Sequence, residues 1–124
     1  MNAENTSTAT PATLIVLTNL PDEASARTFA AQLVEERLAA CVNILTPCRS
    51  IYRWQGKVEE SSEIPLLIKT TAARYTALET AIRALHPYEL PEIVAVPIAS
   101  GLPAYLAWVA AETSTSTSTD FQTC

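Results

Sequence analysis

Two long extended segments, joined by a short turn, dominate the middle of the chain. They cover about residues 40–54 and 58–70 and are joined at Gln55-Gly56-Lys57. Glycine can adopt the positive φ that a tight hairpin turn requires, so the pattern predicts a long β-hairpin. Pro47 and Pro65 cannot donate to a strand ladder, and we therefore expect the hairpin to be bent or irregular.

Before this hairpin, the sequence predicts a strand followed by a helix. The continuous apolar run at residues 14–17 is typical of a central strand buried on both faces. Asp22 can cap the helix that follows. Apolar residues then recur at helical spacing and predict a face that packs on a sheet. They are Ala26, Phe29, Ala30, Leu33, Val34 and Leu38.

After the hairpin, the pattern predicts a second helix, a last strand and a third helix. Thr71 can cap the second helix, which ends just before Pro87 because the residue preceding a proline avoids the helical conformation. Residues 93–98 form an extended apolar segment in which Pro97 is compatible only with an edge strand. Pro103 suits the first turn of the last helix.

These elements predict one α+β domain with the order βαββαβ, followed by a helix. Two β-α-β units with an intervening hairpin correspond to the ferredoxin-like arrangement, in which two helices cover one face of a sheet. We assign this domain to residues 14–112. Residues 1–13 form a polar arm and residues 113–124 a tail rich in serine and threonine, and we expect both to be disordered.

Charge and hydropathy exclude several classes of protein. Eight Lys and Arg against 13 Asp and Glu give a net charge of -5, which disfavours nucleic acid as a partner. No apolar run approaches the roughly 20 residues that span a bilayer, so we expect no membrane partner. The amino terminus has neither the basic nor the apolar part of a secretion signal, and we expect a cytoplasmic protein.

Catalytic motifs are absent from the sequence. With two glycines, the chain cannot build the common nucleotide cradles, and no serine elbow is present. Cys41, Cys48 and Cys124 include no C-x-x-C pair and predict neither a disulfide framework nor a zinc finger. We therefore expect that the protein is not an enzyme.

The segment HPYELPE at residues 86–92 is the strongest candidate for a binding site. It carries an imidazole, a phenol and two carboxylates. Its prolines restrict the backbone, and a preorganised loop costs less free energy to order around a ligand.

Metal binding is one chemistry that this segment offers. Imidazole and carboxylate groups bind divalent ions, so His86, Glu89 and Glu92 are candidate ligands. On an extended strand His86 and Glu92 would lie about 20 Å apart, so the loop must turn or another chain must contribute. Alternatively, His86 and Tyr88 only cap the second helix and fill a crevice.

The hairpin also predicts self-association. It is longer than the other strands, and its tip, with Tyr52 and Trp54, would project beyond a single sheet. A neighbouring subunit would pair the free edges and bury the rings, and cyclic symmetry would close the assembly. The alternative is a hairpin that curls over its own sheet.

Several segments, in order, resemble the CutA divalent-cation tolerance family over about residues 14–112. They are Pro21-Asp22-Glu23-Ala24, Leu38-Ala39-Ala40-Cys41-Val42-Asn43, Ile51-Tyr52-Arg53-Trp54-Gln55-Gly56-Lys57, Lys69-Thr70 and the HPYELPE segment. The resemblance implies a role in divalent-cation tolerance and a ferredoxin-like subunit in a PII-like homotrimer. It also implies a cleft between subunits and a link to copper and other divalent ions. By the same resemblance, the recurring cleft positions are Tyr52, Trp54, Lys69, His86, Tyr88 and Glu92.

The chain departs from the copper-binding pattern of this family at two positions. Thr18 stands where a copper-binding member has cysteine, and Leu85 where it has a second histidine. Neither replaces a thiolate or imidazole donor. We therefore expect weak, oxygen-rich binding of copper or another divalent cation through His86, Glu89 and Glu92.

Two other functions are alternatives to metal tolerance. A PII-like signalling module would take a small anionic effector near Lys69 in the same cleft. An enzyme of the acylphosphatase type would need a glycine-containing anion loop with an arginine after the first strand, and Thr18-Asn19-Leu20-Pro21-Asp22 has neither.

Overall fold

The computed structural model of the protein describes residues 12–115 of the chain, and the rest of the predicted arm and tail lies outside the described residues. In chain order the elements are β1 (Thr13–Leu20), α1 (Glu23–Glu35), β2 (Cys41–Ile44), β3 (Cys48–Trp54), β4 (Lys57–Thr71), a 3₁₀ turn (Ala72–Arg74), α2 (Tyr75–Leu85), β5 (Val94–Pro97) and α3 (Pro103–Glu112). Among the helices of residues 12–115, none has the length and hydropathy of a membrane span.

The strands form one antiparallel sheet in the order β2-β4-β1-β5, and β3 pairs with the other half of β4. β1 is central, as predicted, because it pairs with β4 on one side and with β5 on the other. β5 is an edge strand and accommodates Pro97 opposite Leu14. The predicted α+β class is confirmed.

The hydrophobic core lies between one face of the sheet and the helices α1 and α2. In the antiparallel register Val16 faces Ile68, and both are fully buried. Alternate residues of a strand point to the same face, so this face is the one that the helices cover. The helices contribute Phe29, Leu33, Leu78 and Ile82 to the same cluster.

Helix α1 has defined caps at both ends. The Asp22 carboxylate accepts from the Ser25 amide at 2.8 Å, which confirms the predicted N-cap. At the other end Arg37 has a φ of 60°, and the Leu38 amide donates to the Leu33 carbonyl at 3.0 Å. This Schellman-type ending places the buried Leu38 back on the core.

The start of the second helix differs from the prediction. Thr71 makes no side-chain cap bond, since it ends β4 and is followed by the 3₁₀ turn, and α2 begins only at Tyr75.

The folded domain extends at least one residue beyond residues 14–112 at each end. Thr13 is buried within β1, and Thr113, assigned to the tail, is buried with its hydroxyl bonded to the Val109 carbonyl at 2.9 Å.

The first arm of the hairpin is two strands rather than one. Ile44 pairs with Leu66, whereas Cys48 pairs with Glu63. Three residues, 45–47, therefore face two residues, 64–65, and the arm carries a one-residue bulge. Both predicted misfits, Pro47 and Pro65, lie at this interruption, where a missing amide does not break the ladder.

Candidate functional site

A cleft of about 810 Å³ lies between the β3–β4 hairpin and the segment at residues 86–92. Four residues predicted to bind a ligand line it, together with the predicted metal ligand Glu89. The four are Tyr52, Trp54, Tyr88 and Glu92. The structure thus brings the hairpin tip and the 86–92 segment together within one chain, whereas the sequence analysis expected a cleft between subunits. We call this space the cleft.

The hairpin wall of the cleft carries side chains from one face of two paired strands. Tyr52 and Trp54 alternate along β3, and Ser50 pairs with Ser61 of β4. The Tyr52 hydroxyl lies 3.3 Å from the Ser61 hydroxyl. Alternation and register therefore place these residues on the same surface, where both rings face the cleft.

Glu63 is one of the cleft residues that the sequence analysis missed. Its side chain lines the cleft, although the residue is only 8% exposed. Burial, and then the hydrogen bond that the phenol donates to the Glu63 carboxylate, raise the pKa of Tyr88 to about 12. Tyr88 therefore stays a neutral donor at neutral pH. Among residues 12–115, the ion pairs formed do not include Glu63.

Asn19, at the end of β1, connects the loop wall to the sheet. Its side-chain amide donates to Glu92 Oε1 at 3.0 Å, and its carbonyl oxygen lies 2.6 Å from His86 Nε2. Asn19 also lines the cleft. One residue thus holds both ends of the 86–92 segment.

His86 occupies a structural position behind the cleft. It is 8% exposed, it is the C-cap of α2, and its ring lies against the rings of Phe29 and Tyr88. Its Nε2 meets the Asn19 carbonyl, and its Nδ1 accepts from the Tyr88 amide at 3.2 Å. The partners require the neutral tautomer with the proton on Nε2.

The protonation state of His86 agrees with this geometry. Burial lowers the pKa of His86, while the hydrogen bond to Asn19 and the negative charge of Glu63 oppose that shift. Both ring nitrogens are engaged by the backbone, so neither is free to bind a metal. The capping alternative describes His86 better than the metal-ligand prediction.

The predicted metal group is not assembled within one chain. Across residues 12–115, no three His, Cys, Asp or Glu side chains come together as ligands of one ion. Glu89 and Glu92 line the cleft, whereas His86 does not. The carboxylates remain available to an ion only if water or another subunit completes the coordination.

Lys69 is separate from the cleft. It lies on β4 opposite Cys41 and donates from Nζ to the Asn43 side chain. No Lys or Arg is among the residues that line the cleft. Lys69 therefore supplies no positive charge to an anionic effector in this space of a single chain, and its role in a cleft between subunits stays a prediction.

The two missed residues gave only weak signals in the sequence. Glu63 is a charged residue within an otherwise alternating strand, a pattern that usually marks a solvated face. Asn19 precedes Leu20-Pro21 and resembles an ordinary turn residue. Their roles depend on the 86–92 segment folding back, which no local pattern encodes.

Comparison with known proteins gives consistent matches over the described domain. A family model described as "CutA1 divalent ion tolerance protein" matches residues 14–112. "Divalent-cation tolerance protein CutA" of Thermus thermophilus is 56% identical over 95 residues, which are 77% of this chain and 92% of that protein. "Protein CutA" of Mus musculus is 47% identical over 89 residues, and there the match spans 72% of this chain and 50% of the mouse protein.

Solved structures give the same result. The divalent cation tolerance protein from Thermus thermophilus superposes with a TM-score of 0.80 at 53% identity, covering 82% of this chain and 99% of that one. CutA1 from Oryza sativa has a TM-score of 0.83 at 36% identity, covering 86% and 98%. A protein from Archaeoglobus fulgidus, described as periplasmic, has a TM-score of 0.79 at 32% identity, covering 82% and 99%.

Proposed function

The chain belongs to the CutA1 divalent ion tolerance family, and we propose that it takes part in tolerance by binding divalent cations weakly at the cleft of a homotrimer. One observation carries the binding proposal. The buried carboxylate of Glu63 faces the cleft without an ion pair among the described residues. A buried carboxylate gains most from a cation, since its own desolvation is costly.

The ligand chemistry of the cleft favours ions that prefer oxygen. Glu63, Glu89 and Glu92 supply carboxylates, and they line one space. Thr18 is buried on the helix-covered face opposite Leu66, and it does not line the cleft. The residues that line the cleft include no His or Cys, although the free thiol of Cys48 lies opposite Glu63 on the paired strand. We propose that the carboxylates favour hard ions such as Mn²⁺, with copper held by the same oxygens.

Exposed apolar surface supports the homotrimer. In the single chain, Val109 is the buried residue of α3, while Leu102, Tyr105 and Trp108 are exposed beside it. Every residue of β5 is exposed as well. An apolar helix and an apolar edge strand at a surface mark an interaction site, and closed symmetric assemblies bury such surfaces.

The sheet face away from the helices adds to this argument. Ile15 pairs with Val96, and Leu17 pairs with Val94, so these four apolar residues share one surface. Val94 and Val96 are about half exposed. We propose that a ferredoxin-like subunit buries this face against its neighbours in a PII-like trimer, and that the cleft is completed between subunits.

Two experiments test the proposal. Size-exclusion chromatography with light scattering should give three times the chain mass of 13.4 kDa, and a monomer at micromolar concentration would refute the assembly. Isothermal titration with Mn²⁺ and Cu²⁺ should show weak binding that Glu63→Gln reduces and that the exposed control Glu35→Gln leaves unchanged. Equal isotherms for Glu63→Gln and the parent protein would show that divalent cations do not bind at Glu63 in the cleft.

Two further predictions belong to this proposal. The names of the family are not enzyme names, and we propose that the protein acts without catalysis. The cytoplasmic location stays a prediction, and cell fractionation with an antibody against the protein tests it. Recovery in a periplasmic fraction would contradict it.

A further inference from the structure

The cleft combines carboxylate groups with aromatic rings. A metal ion would interact with the carboxylates but not with the rings. Tyr52, Trp54 and Tyr88 line it together with the carboxylates of Glu63 and Glu92. A small divalent ion that keeps its water shell gains little from the rings. The aromatic part of the cleft is therefore unexplained by metal binding alone.

The rings come from opposite walls of the cleft. Tyr52 and Trp54 project from β3, and Tyr88 projects from the 86–92 segment. Tyr52 and Tyr88 line the same space from its two walls. Aromatic faces attract organic cations, and their carbon surface also buries the aliphatic part of such a ligand.

Glu63 supplies the fixed negative charge. Its neighbour Tyr88 is a neutral phenol, so their hydrogen bond satisfies one lone pair of the carboxylate without balancing its charge. Glu63 is more than nine-tenths buried and takes part in none of the ion pairs found within the described part of the chain. An ammonium group would provide both a donor and a counter-charge.

We propose that the cleft binds an aliphatic polyamine, with one ammonium group on Glu63 and the carbon chain against the rings of Tyr52, Trp54 and Tyr88. Glu89 and Glu92, which are exposed at the rim, hold the second ammonium group. The volume of about 810 Å³ suits a small organic ligand. This inference rests on the proposed cation site, and it predicts that polyamine and divalent metal compete.

Calorimetric titration of the assembled protein with spermidine, at fixed ionic strength, tests the proposal. Spermidine should bind the parent protein, and Glu63→Gln should weaken binding at least tenfold. Trp54→Leu should weaken spermidine about two- to fivefold, as loss of a cation–π contact predicts, while leaving Mn²⁺ binding unchanged. Glu35→Gln, which removes the same charge from the exposed end of α1, should bind spermidine like the parent protein.

The possible failures are distinguishable. If Mn²⁺ binds and spermidine does not, the polyamine proposal is wrong and the metal site stands. If neither cation binds the trimer, a neighbouring subunit fills the cleft, and both proposals are wrong. If Glu35→Gln weakens spermidine as much as Glu63→Gln does, the binding is nonspecific. If Glu63→Gln fails to fold, a competition experiment in the parent protein replaces it. Mn²⁺ should then displace spermidine, and simultaneous binding of both cations would contradict a shared site.

Discussion

The imidazole of His86 and the backbone carbonyl of Asn19 are joined by a hydrogen bond of 2.6 Å between residues 67 positions apart. The bond connects the end of α2 to the end of β1. The side chain of the same asparagine holds Glu92 at 3.0 Å. The 86–92 segment is therefore fixed at both ends, and this positions Tyr88 and Glu92 at the cleft.

This contact makes stability depend on pH. Burial lowers the pKa of His86 below its ordinary value of 6.5, so near that value the unfolded chain binds the proton more readily than the folded one. The contribution of neutral His86 is complete above pH 6.5 and is lost as the pH falls toward the lowered pKa. Urea unfolding should therefore show a larger loss of stability between pH 7 and pH 5 in the parent protein than in His86→Gln, which carries no titrating ring. Equal losses would contradict the neutral assignment.

Tyr88 gives a prediction at alkaline pH. Its pKa is raised to about 12, so the folded protein holds this proton after an unfolded tyrosine has lost it near pH 10. The resulting stability is complete below pH 10 and is lost as the pH rises through about 12. Ultraviolet titration of tyrosinate should show a component near pH 12 that Tyr88→Phe removes. A titration unchanged by this substitution would contradict the hydrogen bond to Glu63.

Sequence periodicity and local chemistry predicted the scaffold well. Asp22 was identified as a cap because capping depends on a side chain and an amide three residues away. Gly56 was identified as the turn because few residues accept its backbone conformation. At Pro47 the sequence predicted only that the hairpin would be bent or irregular. The position of the bulge could not be predicted, because it depends on how β2 and β3 pair with β4.

The site was predicted only in part, for a physical reason. Tyr52 and Tyr88 were assigned to one cleft by the resemblance to the CutA family. The burial of Glu63 and the engagement of both His86 nitrogens arise from contacts between distant segments. Lys69 was expected to bind an anionic effector because of its positive charge. In the single chain, the strand register places it beside Asn43.

The hydroxyl of Thr18 offers a test in the core. Thr18 is 1% exposed, and among the described residues its Oγ1 finds no hydrogen-bond partner. Thr18→Val removes this buried polar group at nearly constant shape and should raise the free energy of unfolding by about 1 kcal/mol. Thr18→Ser keeps the hydroxyl and loses a methyl group, so it should lower stability by about 1 kcal/mol. Chemical denaturation measures both, and destabilisation by valine would show that the hydroxyl is paired.

The hairpin turn offers a test of backbone conformation. Gln55 and Gly56 have φ values of 51° and 82°, and a Cβ at Gly56 would meet nothing within 4 Å. The cost of Gly56→Ala is therefore conformational, and we expect about 1 kcal/mol of lost stability. Gln55→Asn should not destabilise, because asparagine tolerates this conformation. Thermal unfolding at fixed protein concentration tests both, and a neutral Gly56→Ala would contradict the turn.

The most direct test of the cation site is an anomalous diffraction map from crystals of the assembled protein soaked in Mn²⁺. The account predicts a peak in the cleft within coordination distance of the Glu63 or Glu92 carboxylate, with water or a neighbouring subunit completing the shell. A peak on a nitrogen of His86 instead, or a cleft that is open and empty at saturating Mn²⁺, would contradict it.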